Sequence, residues 1–108
     1  MLEHIKLLLG FTDNAKDELL NYIISVTSAR LAILLGLSTV PEALSYIVEE
    51  VSVVRYNRIA SEGLEHHAVE GETQIFYESD FTGYTDDISA WLAAQDDPEN
   101  GKGRLRFL

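Results

Sequence analysis

The sequence predicts a mainly α protein: a small helical bundle of about four helices with a short extended or β segment and an extended C-terminal tail. Two long stretches, ending at Leu35 and Ser61, repeat apolar residues at helical spacing. Gly10, Gly36 and Gly63 stand where helical patterns stop. Val69–Glu78 instead mixes β-branched and aromatic residues in partial alternation. A chain of 108 residues has room for one domain.

Residues 2–9 read as a short first helix with Leu2, Ile5, Leu8 and Leu9 on one side. Asp13 or Thr12 can cap the second helix, with Asp17 and Glu18 in its positive N-terminal turns. Its apolar residues become nearly continuous toward Leu35, which predicts a second half buried on most sides. Thr39-Val40-Pro41-Glu42 fits a capping box, with Pro41 in a first turn where its missing N–H costs nothing. The third helix follows, with Leu44, Ile47, Val48, Val51, Val54 and Ile59 as its stripe. Residues 64–80 read as extended and need a partner strand or a body to lie on. A fourth helix spans about Gly83 to Gln95, with Thr85 as N-cap and Ile88, Trp91 and Leu92 on its apolar face. The expected division is a helical domain over 1–97 and a docking tail over 98–108.

Charge is distributed unevenly. Residues 1–101 hold all eighteen acids and five of the eight bases, a formal charge of −13. The remainder, Lys102-Gly103-Arg104-Leu105-Arg106-Phe107-Leu108, adds +3. An acidic body repels phosphate backbones, which argues against specific nucleic-acid recognition but not against DNA passing nearby. With no cysteine, disulfides and thiol chemistry are excluded. No signal peptide is evident at the N-terminus, and no apolar run reaches the ~18 residues of a membrane span. A soluble, intracellular protein without membrane association is expected.

Candidate chemistry is sparse. Adjacent histidines such as His66-His67 point apart and make a poor metal site, so an exposed loop is the better reading. Glu49-Glu50, Asp86-Asp87 and Asp96-Asp97 are neighbours that share no helix face, which suits solvated charge more than acid/base work. No phosphate-cradling glycine loop or nucleophile motif is present. No catalysis, cofactor or metal is expected. Trp91 at helical spacing from Ile88 and Leu92 reads as core ahead of exposed patch. Arg55 and Arg58 have two readings: an intrahelical pair of Arg58 with Glu62, or a contact of both arginines with an acidic face of a neighbouring subunit.

In the tail, Arg104 and Arg106 alternate with Leu105 and Phe107 at strand period. Such a strand can add to a partner, with Lys102, Arg104, Leu105, Arg106, Phe107 and Leu108 as its contacts. It can also fold back on residues 72–78 of its own chain, and both readings stand.

The run Arg55-Tyr56-Asn57-Arg58-Ile59-Ala60-Ser61-Glu62-Gly63 at a helix end, then Val69-Glu70-Gly71 and Ser79-Asp80-Phe81, resembles the small head–tail connector (adaptor) proteins of long-tailed bacteriophages. The ending Arg104–Leu108 is similar too. The resemblance implies a structural protein of the virion, at the head–tail interface, made in the host bacterial cytoplasm. It implies a homo-oligomeric ring, monomeric when free, that sits under the portal protein, extends the DNA channel and meets a stopper or tail-completion protein. The competing reading is an acidic DNA mimic that inhibits a nucleic-acid-binding protein.

Overall fold

A computed structural model describes residues 1–61 and 76–95. Its elements are α1 (Leu2–Leu9), α2 (Asp17–Leu35), a 3-10 turn (Glu42–Leu44), α3 (Ser45–Ser61), a second 3-10 segment (Glu78–Tyr84) and α4 (Thr85–Gln95). The four-helix expectation holds, with no strand among the described residues. Glu62 as a partner for Arg58, Gly63 as a helix stop, His66-His67, residues 64–75 of the extended segment, Asp96-Asp97 and the tail Lys102–Leu108 lie outside the described residues.

α1 and α2 end as their glycines predict. Gly10 and Gly36 adopt left-handed φ of 80° and 73°, conformations that Cβ-bearing residues rarely accept. Each closes its helix with paired backbone bonds: the Gly36 N–H donates to Ile33 and the Leu37 N–H to Ala32, at 3.1 and 2.9 Å. The helix starts differ from expectation. Asp13 accepts from the Ala15 N–H at 3.2 Å in a local turn, and α2 begins only at Asp17 without a side-chain cap. The capping box at Thr39 does not form; Pro41 precedes a 3-10 turn that leads into α3. Thr85 is the first residue of α4, and its hydroxyl donates back to the Thr82 carbonyl at 2.9 Å. Glu78–Asp80, expected to be extended, opens the 3-10 segment instead.

Two apolar clusters fix the bundle. One gathers Ile5, Leu19, Leu20, Ile23, Tyr56, Ile59 and Phe76. The other gathers Leu31, Leu35, Leu44, Ile47, Val48, Val51 and Phe81. The start of α2 thus meets the end of α3, and the end of α2 meets the start of α3, so the two long helices pack antiparallel. α1 covers the first cluster through Ile5, which is fully buried. Lys6, one residue on, is also buried, and its ammonium donates to Asn14 at 2.8 Å and pairs with Asp17 at 3.0 Å.

Burial departs from the expected stripes at three places. Leu8 is exposed, because α1 turns Leu2, Ile5 and Leu9 inward instead. The second half of α2 is buried on one side only: Leu31, Ala32 and Leu35 face α3, while Ile33 and Leu34 are 70% and 43% exposed. On α3 the buried seam runs from Ile47 through Val51 and Arg55 to Ile59, and Val54 faces out. α2 is also long and apolar enough, by length and composition, to cross a membrane. The expectation from uninterrupted apolar runs missed this, since a window average tolerates Asn21, Ser25, Thr27 and Ser28. Its Leu20–Ile23–Thr27–Leu31 face packs inside the bundle.

Candidate functional site

Arg55 is the largest fully buried side chain described. It sits four residues after Val51 and therefore on the core face of α3, at the level where the two apolar clusters meet. Its guanidinium donates from Nε to Asp80 Oδ2 at 2.9 Å, from Nη1 to Thr27 Oγ1 at 3.0 Å, and from Nη2 to the Tyr77 carbonyl at 3.0 Å. Phe76 from one cluster and Phe81 from the other lie with ring centroids 5.3 Å from its Cζ. A buried cation on two ring faces gains quadrupole attraction that water would otherwise screen.

Arg58, one helical turn further, closes on the same acid. Its two terminal nitrogens donate to Asp80 Oδ2 and Oδ1 at 3.1 and 2.7 Å. Its Cζ lies 4.6 Å from the centre of the Tyr77 ring. The spacing explains the convergence, because residues three apart on a helix share a face. Asp80 is a single carboxylate held by two forks, with 7% of its side chain exposed.

The electrostatics follow. Burial alone would push the Asp80 carboxyl up, but the bonds from Arg58 and Arg55, with their charges, hold it below the usual carboxylate range. Burial lowers the Arg55 guanidinium, against the raising effect of Asp80. Arg55 remains charged at neutral pH, since an arginine's ordinary value lies far above neutrality. The arrangement has no open position for a substrate. It fastens residues 76–84 onto α2 and α3, and it offers no nucleophile or acid/base pair.

A second polar group ties α4 to α3. The Tyr46 hydroxyl donates to Asp87, and the Tyr84 hydroxyl donates to Glu50 at 2.5 Å. The two rings meet edge to face, with centroids 6.4 Å apart. Burial and the Glu50 carboxylate push Tyr84 up to about 12. Tyr46 is also raised, chiefly by its bond to Asp87. Ile88 and Trp91 pack from α4 against the second cluster, so Trp91 is a partly buried border residue of the core.

The arginines expected at a subunit interface therefore both serve Asp80 within the chain; Arg55 is 1% exposed and Arg58 20%. The remaining expected contacts, Lys102, Arg104, Leu105, Arg106, Phe107 and Leu108, lie outside the described residues. Reading the sequence missed Asp80 and Thr27 as partners. The signal for Asp80 was available: two arginines three apart on a helix face call for one shared carboxylate. Thr27 carried none, since a lone threonine in an apolar helix looks like filler. Among the described residues, no group of three or more His, Cys, Asp or Glu could hold a metal ion.

A family model described as "Phage gp6-like head-tail connector protein" matches residues 1–91. The match takes in α1 to α3, Asp80 and most of α4, and it ends before the basic segment. No curated protein and no solved structure matches the chain significantly. With more than four-fifths of its length matched, the chain belongs to the phage gp6-like head–tail connector family.

Proposed function

We propose that this chain is a ring-forming structural connector that sits under the portal, extends the DNA channel and joins the capsid to the tail or to a stopper protein. The family match over residues 1–91 carries this reading. Head–tail connectors are structural proteins of the virion, and a site built only of internal ties is consistent with that role. The −13 charge of residues 1–101 supports it as well, because DNA slides past a surface that repels its phosphates. The proposed division is a helical body over 1–97 and a docking segment over 98–108. Lys102, Arg104, Leu105, Arg106, Phe107 and Leu108 supply contacts to the portal or to sister subunits. Arg58, still partly exposed, meets a neighbouring subunit, and Arg55 supports it from within.

The test is attachment. Portal-bearing capsids are mixed with the full chain and with a chain lacking Lys102–Leu108, and bound protein is imaged by negative-stain microscopy. The full chain is expected to form rings at the portal vertex. The shortened chain is expected to keep its helical circular dichroism and not attach. Normal attachment without the basic segment would remove its docking role. Failure of the full chain to bind portals, together with tight binding to a basic nucleic-acid-binding protein, would favour the DNA-mimic reading.

A further inference from the structure

Beside α4 the surface carries an open groove of about 470 Å³. Leu34, Phe81 and Ile88 supply its apolar lining, and Glu78, Thr85 and Ser89 its polar one. Leu34 is 43% exposed at the end of α2, and the neighbouring Ile33 and Leu37 are exposed as well. Apolar surface of this kind with an acid in its lining, on an acidic body, invites a short segment of opposite charge. Glu78 lines the groove, and Asp86 follows Thr85 in the first turn of α4.

The chain itself contains a matching segment. Thirteen residues follow Gln95, and they include Arg104-Leu105-Arg106-Phe107. Alternation at strand period puts Leu105 and Phe107 on one side and both arginines on the other. The groove is close to where this segment departs. Gln95 lies six helical positions beyond Ser89, a rise of about 9 Å. The nine residues from Asp96 to Arg104 can span about 30 Å when extended. Between them stands Pro98-Glu99-Asn100-Gly101, whose proline, asparagine and glycine favour reversal of the chain. A tether this short holds the segment near its own groove at about millimolar effective concentration, ahead of any neighbour at ordinary protein concentrations.

We propose that the basic segment Arg104–Phe107 docks into the groove of its own chain, with Leu105 and Phe107 against Leu34, Phe81 and Ile88 and the arginines toward Glu78 and Asp86. This holds whatever the segment meets in the virion; a portal or a sister subunit would compete with the groove for it.

The absence of cysteine allows a direct test in the full chain. Ser89→Cys is combined with Leu105→Cys, and disulfide formation under mild oxidation is followed by non-reducing electrophoresis and intact mass. Ser89 is exposed, so its replacement spares the core. Thr82→Cys with Phe107→Cys samples the groove a second time. The expected product is an intrachain disulfide whose rate is independent of protein concentration. It should form at least about tenfold faster than in Ala60→Cys/Leu105→Cys, whose first cysteine lies on exposed α3 away from the groove. Leu34→Arg in the same background should slow it. Interchain disulfides that grow with protein concentration would assign the groove to a second copy and overturn the proposal. Equal rates at Ser89, Thr82 and Ala60 would overturn it as well.

Discussion

At the scale of single residues, Asp80 is where the chain has most to lose. It is nearly buried and receives bonds from two guanidinium groups. Removing one partner from a buried ion pair strands the other charges, at a cost of about 3–5 kcal/mol. Asp80→Ala is expected to lose stability in that range by urea denaturation, and a loss under 1 kcal/mol would show that the arginines find other partners. The pH dependence has a definite sign. An unfolded aspartate titrates near 3.9, and folded Asp80 lies lower, so the folded state binds fewer protons here. The contribution is complete at neutral pH and disappears as pH falls below about 4 toward the folded value. Asp80→Asn should therefore have a shallower acid limb than the parent chain. Arg55 belongs to the same argument. Its charge reversal places a second carboxylate beside Asp80 in the core, so Arg55→Glu is expected to reduce helicity in dilute monomer as well as any self-association. Sequence spacing made the pair visible, but not its target. An arginine on a helix next to a valine stripe reads as surface, and only the arrival of residues 76–81 from elsewhere in the chain makes its position core.

At the scale of elements, α2 was legible because its glycine stop and apolar periodicity agree with each other, and α3 because of its apolar periodicity. The errors fell on helix starts, where the caps suggested by Asp13 and Thr39 gave way to a local turn and a 3-10 entry. They also fell on apolar surplus: Ile33, Leu34 and Val54 satisfy a hydrophobic pattern, yet no element among the described residues covers them. α4 is the least anchored helix described. None of its residues is buried, and it rests on Ile88, Trp91, the Tyr46–Asp87 bond and, through the residue just before it, the Tyr84–Glu50 bond. Local opening follows the scarcity of buried contacts. Amides of Ile88–Gln95 are expected to exchange hydrogen faster than those of Ile47–Tyr56, and Tyr84→Phe should widen the gap. Alkaline pH should act in the same direction. Tyr84 is raised from an unfolded value near 10 to about 12, so its contribution is present below pH 10 and lost as pH rises through 12. Trp91 is the only tryptophan and sits at this border, so its emission should shift to the red over that interval. Unchanged emission up to the global unfolding transition would mean that α4 is held by apolar packing alone.

At the scale of the whole molecule, local attraction and global repulsion compete. The ion pairs among the described residues draw charges together at a few points, while a net charge of −10 pushes acids apart along a body 48 Å in its longest dimension. The two respond to salt differently. At about 0.01 M the Debye length is near 30 Å and repulsion reaches across most of the molecule; at about 0.15 M it is near 8 Å and only adjacent charges interact. The Asp80 pair is buried and hardly screened. His4–Glu49 is exposed on the histidine side and contributes little at any ionic strength. Repulsion should therefore dominate the salt response. Raising NaCl between those concentrations is expected to stabilise the free chain by about 1 kcal/mol, seen as a rise in Tm of about 5 °C. A fall in Tm would show that surface pairs outweigh the acidic field. The same field bears on assembly: subunits this acidic approach one another more readily as screening increases, so self-association should strengthen over the same salt range. Sedimentation velocity on the samples used for the melts would separate the two effects, since a rise in Tm that depends on protein concentration reports association, and one that does not reports relief of repulsion within the chain.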